Sequence, residues 1–132
     1  MTGGVLLDTT VLIDLLRGRA GAASRVRAAR DAGECLFVSA VNVEEIARGV
    51  GEAEQAGMDR LLVGLQIVPL GESEGRRAGT WRRRFAEQGF TLSQADCLIA
   101  AAALAADARL ATGNLKDFPF AELTVEHWPV GA

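Results

Sequence analysis

The stretch GVLLDTTVLIDLL, residues 4–16, carries the reading of the fold. A short apolar run, Val5 to Leu7, ends at Asp8, and apolar residues then recur at Val11, Leu12, Leu15 and Leu16. The first run shows no polar alternation, as in a strand buried on both faces, while the second has the spacing of one helical face. A buried strand therefore passes directly into a helix, with an acid at the junction. Arg17-Gly18-Arg19 breaks that helix.

The same alternation repeats along the chain. Residues 22–32, rich in alanine and arginine and closed by Gly33, predict a second helix. Cys35 to Val38 predicts a second short buried strand, and Ser39 to Val50 resumes helical spacing as far as Gly49 and Gly51. A polar helix follows over 52–64, then a third strand from Gln66 to Leu70, ended by Pro69 and Gly71. A long helix over 72–88 holds an arginine cluster. Thr91-Leu92-Ser93 opens a further helix through Ala106, and Arg109 to Thr112 reads as a fourth strand. Leu123 to Glu126 is a candidate fifth strand near the sheet edge, before Trp128 and Pro129. Strands alternating with helices through short turns imply an α/β fold whose mainly parallel sheet, of four to five strands, is covered on both faces.

At 132 residues the chain fits one domain, 1–132, and its 49% of apolar residues can build a sizeable core. With 23% charged residues to cover the surface, composition excludes both a disordered chain and a membrane protein. The apolar stretch from Cys97 to Ala106 is about half of what spans a bilayer and reads as a core helix. The opening MTGGVLLD has no basic region before its short apolar run, so no secretion signal is read and the cytoplasm is expected. Cys35 and Cys97 have no CxxC spacing, and both read as reduced, buried small hydrophobes. Net charge is −3, yet thirteen of the fourteen basic residues are arginine, bunched at 25, 27 and 30, at 76 and 77, and at 82–84. An acidic protein can thus carry a cationic rim, although single arginines are usually just solvated helix faces.

In folds of this class the ligand site lies beyond the carboxyl ends of the strands. Asp8 follows strand one, Glu45 sits in the first turns of the helix after strand two, Asp96 opens a helix, and Asn114 and Asp117 follow strand four. Each has a local alternative. Asp8 could cap the following helix, and both Asn42 with Glu45 and Ser93 with Asp96 have the spacing of a capping box. As a set they suggest more, because carboxylates converging above one sheet repel unless a cation sits among them. Hard oxygen donors suit Mg²⁺ or Mn²⁺. Other chemistries lack their residues: there is no GxxxxGK[ST] loop, no GxSxG elbow and no tyrosine, and the single histidine, His127, stands near the tail and reads as a surface or packing residue. Carboxylates, a cation and water form an apparatus for phosphodiester hydrolysis.

The motifs resemble those of PIN-domain nucleases, specifically the VapC-like toxins, over nearly the whole chain. LLDTTVLIDLL resembles the opening motif, whose aspartate is the first metal ligand, which puts Asp8 in that role and Thr10 in a supporting one. VSAVNVEEIARGV resembles the second motif, a glutamate followed by an aliphatic residue and a glycine four positions on, which selects Glu45 with Gly49 as anchor. TLSQADCLIAAAAL supplies Asp96, and LATGNLKDF resembles the fourth motif, where Asn114 and Asp117 both fit and Thr112 helps. The resemblance implies a three-layer α/β/α fold and a divalent-metal endoribonuclease. It further implies action on transfer or ribosomal RNA that inhibits growth, restraint by a co-expressed antitoxin, and a homodimer. Arg82, Arg83 and Arg84 are candidates for RNA phosphate contacts, and the apolar helices after Asp8 and after Ser39 for a groove that takes an amphipathic partner segment.

Three other readings compete with this one. A receiver-like phosphoacceptor domain needs an aspartate closing strand three, where Val68-Pro69-Leu70 stands. An aspartyl-nucleophile phosphatase wants a second acid two residues after Asp8, where Thr10 stands. A catalytically silent PIN fold that only binds RNA or a partner is the alternative left, and it sits poorly with Asp8, Glu45 and Asp96 all being present.

Overall fold

The structure, a computed structural model, describes residues 3–132; Met1 and Thr2, which begin the segment read as lacking a secretion signal, lie outside it. Five strands, β1 (Gly4–Leu7), β2 (Cys35–Ser39), β3 (Gln66–Val68), β4 (Ala108–Thr112) and β5 (Val125–His127), form one sheet in the order β3-β2-β1-β4-β5. Every neighbouring pair is parallel. Six helices connect and cover them: α1 (Thr9–Leu16), α2 (Ala20–Asp31), α3 (Ala40–Gly49), α4 (Gln55–Val63), α5 (Glu72–Glu87) and α6 (Gln94–Ala105).

β1 is buried throughout, and its side chains divide between two cores as the two-residue period of a strand requires. Leu6 joins Leu110, Val68, Trp81 of α5 and the alanines of α6 on one face. Val5 and Leu7 join Val11, Leu12, Val26, Ile46, Met58 and Trp128 on the other. Helices thus cover both faces, giving three α/β/α layers. Ala100 to Ala103 are all buried, and their small side chains let α6 lie close to the sheet while α5 closes the outside with Trp81. The ring of Trp81 tilts against Phe120 at 4.3 Å, and its Nε1 donates to Glu122 at 2.9 Å.

Several boundaries differ from the sequence reading for local reasons. The 52–64 segment is a 3₁₀ turn (Glu52–Glu54) followed by α4. β3 stops at Val68, because Pro69 has no N–H to continue the ladder. β5 runs from Val125 to His127, so the histidine is an exposed edge-strand residue. Both thiols are free, but only Cys97 is buried; Cys35, the first residue of β2 at the sheet rim, is exposed, which corrects its reading as a core residue. Burial pushes the Cys97 thiol up to about 11. Among the described residues, no helix is long and apolar enough to cross a membrane.

Candidate active site

With β1 central, β2 on one side and β4 on the other, strand order reverses between β1 and β4. The crevice at the carboxyl ends of those two strands is where such sheets hold their ligands. Asp8 leaves β1 at that point, its N–H donating to the Ala111 carbonyl of β4 at 2.9 Å. It precedes α1, but its carboxylate makes no capping bond. Instead Oδ2 accepts from the Thr112 hydroxyl at 2.7 Å and the Thr10 hydroxyl at 3.3 Å. Both hydroxyls are themselves held, Thr10 by the Gly113 N–H at 2.9 Å and Thr112 by the Asn114 N–H at 3.0 Å. Gly113 is glycine for a steric reason: a Cβ there would stand 2.4 Å from Val130 Cγ2 and 3.3 Å from Thr10 Oγ1.

Glu45 is positioned by a second chain of bonds that starts at the end of β2. Ser39 caps α3, and the Asn42 Oδ1 accepts both the Ser39 N–H (3.0 Å) and its hydroxyl (2.7 Å). This Ser39–Asn42 capping box replaces the Asn42–Glu45 box expected from spacing. Asn42 Nδ2 then donates to Thr9 Oγ1 at 3.1 Å, and Thr9 Oγ1 donates to Glu45 Oε1 at 2.6 Å. Glu44 points elsewhere, exposed and paired with Arg48 at 3.2 Å. The bracing roles of Thr9, Asn42 and Ser39 were not read from sequence, where Asn42 figured only as a possible cap partner of Glu45; the S-x-x-N spacing at the end of a strand was the available signal.

Asp96 stands in the first turn of α6, whose Ser93 cap accepts the Asp96 N–H at 3.0 Å. The carboxyl is pushed up to about 6, first by burial, with the Ser93 hydroxyl acting the other way and the charges of Asp117, Asp8 and Glu45 adding to the rise. Burial likewise raises Asp8, opposed by the threonine bonds, and Glu45 adds to the rise. Three other acids therefore bear on Asp96 across this crevice, and Glu45 bears on Asp8 as well. Among the described residues, no arginine or lysine side chain forms an ion pair within 4 Å with any of these carboxylates, and no three acidic, thiol or imidazole side chains stand close enough to enclose a metal ion. Asn114 contributes its backbone N–H to Thr112, and its side chain is exposed, whereas Asp117 of the short 3₁₀ turn Leu115–Asp117 is half-buried.

A sequence profile described as the PIN domain matches residues 5–123. The chain belongs to the PIN-domain family. Ribonuclease VapC10 of Mycobacterium tuberculosis is 37% identical over 118 residues, covering 89% of this PIN domain and 88% of that relative. Ribonuclease VapC19 of the same organism is 32% identical over 114 residues, covering 86% and 91%. Among solved structures, VapBC2 from Rickettsia felis bound to a promoter DNA fragment matches with a TM-score of 0.84, covering 94% and 98% of the two chains; at 21% identity it speaks for the fold alone. VapBC-1 from nontypeable Haemophilus influenzae matches with a TM-score of 0.77 at 25% identity, covering 94% and 97%.

The candidate phosphate contacts do not converge on this PIN domain. Consecutive helical residues point about 100° apart, and the three guanidiniums fan out accordingly. Arg82 Nε donates to the Leu92 carbonyl at 3.2 Å, Arg84 pairs with Glu122 at 3.4 Å, and Arg83 is exposed. The groove expected between α1 and α3 is a small cavity of about 130 Å³, lined by Ile13, Arg17, Glu45 and Ile46 among others. A larger one of about 560 Å³ lies instead between α1, α2 and α4, with an apolar floor that includes Leu16, Val26 and Leu61 and with Arg27, Arg30 and Arg60 on its rim. Leu16 lines both.

Proposed function

We propose that this chain is a divalent-metal-dependent endoribonuclease that serves as the toxin of a toxin–antitoxin pair, acting in the cytoplasm as a single domain over 1–132. The observation that carries the reading is the uncompensated acid set at the strand ends: the charges of Asp8, Glu45 and Asp117 all bear on Asp96, and among the described residues no cation is paired to any of the four. The names of its relatives, ribonucleases VapC10 and VapC19, support the reaction class.

The donor set fits Mg²⁺ or Mn²⁺, since all four groups are hard oxygen donors and Mg²⁺ keeps several waters rather than demanding a closed protein cage. Asp8, Glu45 and Asp96 would hold the ion directly or through water, with Asp117 closing the shell in preference to Asn114. Bound there, the ion supplies water activation and charge neutralisation on the phosphate. The chain's own residues do the rest. Thr10 and Thr112 aim Oδ2 of Asp8, Thr9 and Asn42 aim Glu45, and the first turn of α6 presents Asp96. Thr112→Val removes one of these braces and is expected to cost about tenfold to hundredfold in cleavage rate, with Thr112→Ser retaining most of it; single-turnover cleavage at saturating metal is the check.

The partners follow from the same family. RNA, transfer or ribosomal, is the substrate, a homodimer is the expected assembly, and likeness to VapBC-1 and to a toxin–antitoxin complex from Klebsiella pneumoniae supports an antitoxin partner. The arginine-rimmed groove between α1, α2 and α4 suits an amphipathic segment with acidic flanks, and Leu16 connects it to the cavity beside Glu45. The deciding experiment incubates partner-free protein with a panel of transfer and ribosomal RNAs in Mg²⁺, Mn²⁺ or EDTA. Cutting that requires the ion is the expected result. Folded protein that cuts nothing under any condition would transfer the reading to a silent PIN fold that only binds.

A further inference from the structure

Of the seven aromatic side chains, six are buried or half-buried, and Phe90 alone is exposed, at 60%. It is not on a slack loop. The Phe90 N–H donates to the Phe85 carbonyl at 2.8 Å, closing α5 with Gly89 in the left-handed region at φ +87°, and the ring meets Phe85 edge to face at 6.5 Å. On the far side of the loop, the Arg82 guanidinium holds the Leu92 carbonyl, and its charge reaches the Cys97 thiol next to Asp96. The loop and the first turn of α6 are thereby fixed to one frame. Three extended residues and one helical turn separate Phe90 from Asp96, a span of at most about 15 Å.

A second exposed apolar side chain belongs to the other acid of the pair. Leu115, 44% exposed, lies two residues before Asp117 in the turn that follows β4. Asp96 and Asp117, whose charge bears on Asp96, thus come from segments that each display one apolar side chain to water. The ion at such a centre neutralises the scissile phosphate, which leaves the neighbouring nucleotides to be held by contacts that do not depend on charge. An exposed aromatic ring braced on Phe85, within about 15 Å of Asp96 along the chain, supplies one, because every nucleobase has a π-face and stacking on it is tolerant of sequence.

We propose that Phe90 is a substrate-positioning residue, the platform on which an unpaired nucleobase of the RNA stacks next to the acidic centre. The inference rests on the ribonuclease reading, and it names the substrate feature that reading leaves open: single-stranded or looped RNA with a base free to leave its stack.

The test separates stacking from cleavage. A short single-stranded RNA carrying one 2-aminopurine is titrated with protein in EDTA, next to the same RNA made abasic at that position. Phe90→Ala is expected to weaken binding of the 2-aminopurine RNA about tenfold and to lose its fluorescence quenching. Phe90→Trp should keep both, and Phe90→Leu, with apolar bulk but no π-face, should behave like the alanine variant. The abasic RNA should bind all four proteins alike, and in Mg²⁺ the loss should fall on KM more than on kcat. Equal binding by all variants, or full retention by Phe90→Leu, would overturn the proposal. So would a Phe90→Ala variant that loses self-association or antitoxin binding while RNA binding is unchanged, since the ring would then be a protein contact. Wild-type protein that stacks the probe but never cuts RNA would count against the nuclease reading and not against this one.

Discussion

Asp8→Asn is expected to lower metal-dependent RNA cleavage at least about a hundredfold while the protein stays folded. The carboxylate is only 6% exposed, leaves the central strand at the crevice between β1 and β4, and takes two hydroxyl bonds on one oxygen. Asparagine keeps the shape but not the charge, so it would hold a cation weakly and set an amide against two hydroxyls already oriented to donate. Burial opposes the charge that the substitution removes, so thermal stability should be equal or higher. Single-turnover cleavage beside a melting curve checks both halves. A folded Asp8→Asn protein with undiminished cleavage would remove Asp8 from the reaction.

The second large effect belongs to Asp96, where activity and stability should move in opposite directions. Its folded carboxyl lies at about 6 against an ordinary 3.8. Between those values the folded state binds the proton more tightly, so this group's contribution is fully present below about pH 4 and is lost as pH rises through about 6. In EDTA at pH 7.5, Asp96→Asn should therefore melt higher than wild type. Screening around a half-buried group leaves about 1–2 kcal/mol, or roughly 3–6 °C in a domain of this size. At pH 4 the two proteins should melt together. Millimolar Mg²⁺ should raise the wild-type midpoint and shift the variant far less, and cleavage by the variant should fall at least about a hundredfold. An Asp96→Asn protein less stable than wild type in EDTA at pH 7.5 would mean that the carboxylate is a structural partner rather than an uncompensated charge.

How much of this was legible along the chain varies from residue to residue. Val5 to Leu7 had to be a strand buried on both faces, because three consecutive apolar residues ending in an acid cannot alternate with water. The family resemblance selected Glu45 over Glu44 through Gly49; in the fold Glu45 accepts from Thr9, and Glu44 is exposed and paired with Arg48. Spacing alone left the cap of α3 open. Asn42 and Glu45 stand three apart, but so do Ser39 and Asn42, and only the place where β2 ends selects between them. Arg82 to Arg84 looked like one basic cluster because adjacency in sequence hides the 100° turn between helical neighbours.

The succession of strands and helices along the chain, the apolar periods and the positions of the acids at strand ends are local properties, and local sequence was enough to determine them. The meeting of Asp8, Glu45, Asp96 and Asp117 is not local, since they come from four segments up to 109 positions apart. Only the 3-2-1-4-5 strand order brings them to one crevice. The bracing of Asp8 by Thr112, 104 residues away, and the exposure of Phe90 among buried aromatics were decided the same way. Hydrogen bonds and burial act between whatever surfaces the packed layers bring together, and which surfaces those are is a property of the assembled sheet rather than of any one stretch of chain.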